Sequence, residues 1–222
     1  MTAAVPVPHA WSSDALLVKA QRYAELMTEH AKDDWRFALW SSFALELLLR
    51  AALARVSPTL LADSKGNWNN VYYALGHKPA AQKFAPRSIG VAEVATRIEA
   101  ILPPFTLEMR DFCIAHMPAR NEELHTGLAS FDVLSGPSWH GSYFAACEIL
   151  LRSLGHELDY LFGEDEADVA QTIINAANDM SAKEVKKTIG QYKKVWTGKP
   201  KAEKTTLKDQ ALVWATRHTG HR

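Results

Sequence analysis

The segment HMPARNEELHTG, His116–Gly127, carries the residue types and spacing best suited to chemistry. Asn121 and His125 are four apart, so on a helix they share a face and the amide can orient the imidazole. Arg120 and His125 are five apart, which at about 100° per residue sets them roughly 140° from each other. A regular helix points them in different directions. Pro118 has no N–H and its ring clashes with the preceding turn, so a kink or break is expected there. Gly127 then ends the segment. A distorted helix end at a cleft would bring the long Arg120 side chain and the imidazole to one phosphate. The same residues also suit a solvated C-terminal cap, where arginine and histidine are common.

The chemistry such a group fits is metal-free cleavage of an RNA phosphodiester. RNA carries its own nucleophile, the 2′-OH. The reaction needs a base for that proton, an acid for the leaving 5′-oxygen and positive charge on the developing phosphorane. Histidine titrates near neutrality and suits the proton steps. Arginine stays charged and offers a planar fork to phosphate oxygens. One histidine does not obviously serve both proton steps, and a two-fold dimer would place two copies in one cleft.

Other candidates are weaker. His116, four before Arg120, reads as a partly buried helix residue rather than a site member. Glu46 sits in the apolar run LELLLR and needs a partner. Arg50 at i+4 is the ordinary choice and Arg120 the other one. His140 and His156 are too far apart in sequence for a local ligand pair, and His218 and His221 have no nearby cysteine, so no metal and no cofactor is expected. Cys113 and Cys147, 34 positions apart, form neither a disulfide framework nor a CxxC site, which fits a reducing cytoplasm.

The elements that must position these residues read as helices. Ala15, Leu16, Ala20, Tyr23, Ala24 and Met27 recur at helical spacing from Ser12 to about Lys32, with Ser12 or Ser13 as the cap. Asp33 or Asp34 caps a second helix to about Arg55, apolar on nearly every face and so the expected central helix, with Pro58 marking its end. A short helix over Asn67–Leu75 closes at Gly76, and His77–Gly90 reads as a loop. Val91–Leu102 is helical and stops at Pro103-Pro104. Thr106 caps the helix that carries the Arg/His segment. Ser135-Gly-Pro opens another helix, expected to run to Leu161 and end at Gly163. An acidic helix start follows, and Ser181–Glu184 has the capping-box pattern of one more helix to about Trp196. LKDQALVWATR suits a final short helix. No strand alternation stands out, so the expected fold class is all-α, a helical bundle with a helical, basic C-terminal extension.

Composition agrees with a globular chain: 222 residues, 47% apolar and 23% charged, with no net charge. Uninterrupted apolar runs are only a few residues long and the N-terminus has no charged start, so neither a membrane span nor a signal peptide is expected. The zero net charge hides an asymmetry. Residues 1–181 hold 14 Lys+Arg against 22 Asp+Glu, whereas residues 182–222 hold 11 against 3. Lys186, Lys187, Lys193, Lys194, Lys199 and Lys201 in that end, with Tyr192 and Trp196 interleaved, suit phosphate neutralisation and base stacking. A solvated helix face or a tail folded back on an acidic body accounts for them as well.

Arg120-Asn121-Glu122-Glu123-Leu124-His125 resembles the signature of the HEPN superfamily (higher eukaryotes and prokaryotes nucleotide-binding): an arginine, a polar residue that is often asparagine, a few residues, then histidine. Its setting is similar too, near a helix end, after the apolar FALELLLRAALA and before the long SWHGSYFAACEILLRSLGHEL. The resemblance covers residues 11–163, as a HEPN-like helical bundle; it leaves a helical extension over 164–198 and a basic tail over 199–222 unexplained. It implies a homodimeric, metal-independent endoribonuclease, often of toxin–antitoxin or anti-phage defence systems, with an antitoxin or sensor protein as a partner. Arg120 would then bind and polarise the scissile phosphate, His125 act as general base or acid, and Asn121 orient the histidine or hold RNA. Some members of that superfamily do not cleave RNA and serve as dimerisation or nucleotide- or partner-binding modules.

Overall fold

The computed structural model describes residues 9–80, 83–133 and 139–218. These are helical nearly throughout, and among them the only β feature is an isolated bridge between Ala62 and Ser88. The chain forms two compact units, residues 1–175 and 176–222.

In the first unit, α1 (Ser13–Thr28) starts where Ser12 accepts a hydrogen bond from the Ala15 N–H. α2 (Trp35–Val56) starts at Asp34, whose carboxylate accepts from the Arg36 N–H at 2.8 Å. These two helices pack along each other, and Leu17, Ala20, Ala24 and Met27 of α1 and the fully buried Ala44, Leu45, Leu48 and Leu49 of α2 all belong to the core. α2 is the centre of the unit. It also touches α4 (Val91–Ile101), α5 (Leu107–His125), α6 (Ser130–Val133) and α7 (His140–Leu154). It is the one helix among the described residues long and apolar enough to cross a membrane, and 72% of its most apolar stretch is buried inside the protein, as in the core helix of a bundle.

Short pieces close the unit. Pro58–Leu61 is a single 3-10 turn and α3 (Asn69–Ala74) ends in a turn at Gly76. The loop before α4 is fixed by polar contacts: Arg50 donates to Ser88 Oγ at 2.9 Å and to the Ile89 carbonyl at 3.1 Å. α8 (Leu158–Phe162) leads into α9 (Glu164–Gly198), whose first turn is held by an ion pair between Lys32 and Glu166 at 2.7 Å.

The helix boundaries differ from expectation in four places. α5 runs without interruption from Leu107 to His125 through Pro118, so the expected break is absent. A proline inside a helix removes one i→i−4 hydrogen bond; here the packing of Cys113, His116 and Met117 into the core holds the helix together around it. The helix expected to end at Leu161 is two, because Gly155 adopts a left-handed conformation (φ 87°) that closes α7 and the chain restarts at Leu158. The expected Ser135 start lies outside the described residues. Third, Ser181 does not begin a new helix: α9 passes straight through it. The second unit comprises the rest of α9 and α10 (Lys201–His218), longer than the short helix expected there.

Candidate active site

Arg120, Asn121 and His125 open on one cleft of about 390 Å³, lined also by Lys19 and Tyr23 of α1, Phe43, Glu46 and Leu47 of α2, and Leu124. The cleft thus lies where the last turns of α5 meet the α1–α2 pair. Its size is within the range of small-ligand sites.

Convergence of Arg120 and His125 needs no break in α5. The Arg120 side chain reaches back to α2, where its guanidinium ion-pairs with Glu46 and sits 5.2 Å from the centre of the Phe43 ring. His125 is the last helical residue, exposed on the same cleft. Thr126 caps the helix there, its N–H and its hydroxyl both donating to the Glu122 carbonyl.

Glu46 resolves the two partners its sequence position offered by taking both. One carboxylate oxygen accepts from Arg50 Nη2 at 2.8 Å and Nε at 3.0 Å; the other accepts from Arg120. Burial alone would raise this carboxyl, but the two guanidiniums outweigh it and hold it below the ordinary glutamate range. Asn121 turns its side-chain oxygen to Arg120, accepting from Nη2 at 3.2 Å and more distantly from Nε at 3.4 Å. The amide therefore steadies the guanidinium, and the His125 imidazole makes no hydrogen bond among the described residues.

His116 points into the core. It is 3% exposed, its Nε2 lies 3.2 Å from Ser41 Oγ, and Phe112, Phe131, Trp139 and Tyr143 surround its ring. Burial first, and then the nearby Arg120 charge, push it down to about 4, so it is a neutral core histidine at physiological pH. Cys113 and Cys147 are buried free thiols; burial raises Cys113 to about 12 and Cys147 further, which removes them as nucleophiles. No cluster of three or more His, Cys, Asp or Glu among the described residues is arranged to hold a metal.

The sequence reading missed Lys19, Tyr23, Phe43 and Leu47 as cleft residues. Lys19 and Tyr23 share a helix face at i and i+4, as do Phe43 and Leu47, but only the pairing of α1 with α2 shows that these faces meet α5. Lys186, Lys187, Lys193, Lys194 and Lys201 are exposed residues of the second unit, and Lys199 there pairs with Glu203. The chain matches no protein-family model, no curated protein and no solved structure.

Proposed function

We propose that the chain is a metal-independent endoribonuclease of HEPN type, acting as a homodimer in which two copies of the Arg/His cleft share one substrate. The observation that carries this reading is the convergence of Arg120, Asn121 and His125 on a single open cleft. His125 takes the proton of a ribose 2′-OH, whose oxygen attacks the adjacent phosphorus. Arg120, steadied by Asn121, balances charge on the phosphorane. The bond to the 5′-oxygen breaks, the twin subunit's imidazole supplies its proton, and a 2′,3′-cyclic phosphate and a 5′-hydroxyl result. Single-stranded or loop RNA suits the mechanism, because in-line attack needs a splayed nucleotide. The lysines of the second unit are proposed to grip the RNA backbone. A toxin or defence role, with a neutralising antitoxin or a sensor as partner, follows from the same reading.

The test is incubation of RNA with the protein in EDTA, with His125→Ala as the control. Cleavage by the wild type that the variant loses supports the enzyme; persistence of cleavage in the variant overturns it. Two observations favour the second reading, a non-catalytic dimerisation or binding module: Arg120 is already paired with Glu46, and the His125 imidazole has no hydrogen-bonded partner among the described residues. Absence of cleavage with every RNA tested selects that module.

A further inference from the structure

Three half-buried aromatic rings stand beside the cleft. Tyr23 stacks on Trp40 with centroids 5.8 Å apart and planes 14° from parallel, and Phe43 leans on both at 5.3 and 5.9 Å. Tyr23 lines two hollows: the Arg120/His125 cleft and a neighbouring one of about 350 Å³ bounded by Lys19, Arg22, Glu25, Leu26 and Glu29. Lys19, one turn before Tyr23, borders both.

We propose that Tyr23 is a stacking platform for the nucleobase of a single-stranded RNA nucleotide whose phosphate lies at Arg120 and His125. The inference rests on the ribonuclease reading of the cleft and adds how the substrate is held. Every base offers a flat π-face, so an aromatic platform binds strands with little sequence preference. Trp40 and Phe43 back the Tyr23 ring and hold its orientation before the strand arrives, which reduces the ordering cost of binding. The charges fit the sugar–phosphate chain rather than an apolar peptide: Lys19 sits at the junction of the hollows, Arg22 in the second and Arg120 in the first. Of the carboxylates present, Glu46 is already occupied by Arg50 and Arg120, while Glu25 and Glu29 border only the second hollow.

The experiment is fluorescence anisotropy of the full chain with a short 2′-O-methyl oligonucleotide, which binds but cannot be cleaved, and with a fully abasic strand of the same length. Tyr23→Leu is expected to weaken binding of the base-bearing strand about tenfold or more, Tyr23→Trp to retain it, and the abasic strand to bind wild type and Tyr23→Leu alike. The abasic comparison and Tyr23→Trp separate stacking from a general loss of fold. Equal affinity of wild type and Tyr23→Leu for the base-bearing strand overturns the proposal, as does an equal loss on both strands, or no binding by the wild type. A dimer that Tyr23→Leu splits, with binding restored at higher protein concentration, also overturns it and assigns the rings to contact with a second copy. Scission is read separately on unmodified RNA in EDTA. A chain that discriminates the strands without cutting RNA keeps the platform and loses the nuclease; one that cuts RNA but ignores Tyr23→Leu does the reverse.

Discussion

Glu46 and Arg120, 74 positions apart in the chain, form an ion pair that joins the central helix to the helix bearing the Arg/His segment. Their side chains are 18% and 15% exposed, so neither charge is well solvated. Arg50 takes the remaining carboxylate oxygen, and one acidic group thus serves two half-buried guanidiniums.

Glu46→Gln leaves those guanidiniums without a countercharge. The expected cost is about 2 kcal/mol, less than for a fully buried pair because water reaches both sides. Urea unfolding at neutral pH measures it. The acid limb gives a second check. The folded-state carboxyl titrates below its unfolded value, so the ion-pair contribution is complete above the ordinary glutamate value of about 4.3 and is lost as pH falls further. The variant's stability is expected to fall less steeply there.

Arg120→Lys keeps the charge and discards the fork. A lysine ammonium cannot bind Glu46, the Asn121 oxygen and a phosphate in one plane. If the proposed ribonuclease reading holds, RNA cleavage drops about a hundredfold or more while the thermal melt moves little. Single-turnover rates on one RNA measure the loss; unchanged rates would remove Arg120 from the chemistry.

His116 makes stability depend on pH in a different window. The folded chain keeps it neutral down to about 4, whereas the unfolded chain protonates it near 6.5. Between those values the unfolded state binds more protons, so its contribution is complete above 6.5 and declines as the solution is acidified. By pH 5 the loss is about 2 kcal/mol. His116→Phe, which suits the surrounding aromatic rings, is expected to flatten that decline in urea midpoints taken from pH 7 to pH 5.

Gly155→Ala tests the stop between α7 and α8. An added Cβ meets nothing within 4 Å, so the cost is conformational alone, from φ 87°. A loss of about 1–2 kcal/mol in chemical denaturation is expected.

What the sequence made legible follows from local rules. Ser12, Asp34 and Thr106 act as caps because capping is decided within three residues, and α2 is central because most of its length is apolar, with Glu46 and Arg50 the charged exceptions in its middle. Tertiary effects account for the rest. Pro118 fails to break α5 because neighbouring residues are anchored in the core, and Asn121 turns to Arg120 because Glu46 has already fixed the guanidinium nearby. The aromatic wall of the cleft depends on two helices meeting, which no single stretch of sequence reports.

Arg50 has one more consequence. The same guanidinium that shares Glu46 also fastens Ser88 and Ile89, so a loop between distant helices is wired to the carboxylate that restrains Arg120. The 88–89 loop, Arg50, Glu46 and Arg120 thus form one continuous polar chain from the start of α4 to the edge of the cleft, so the two regions share a single carboxylate.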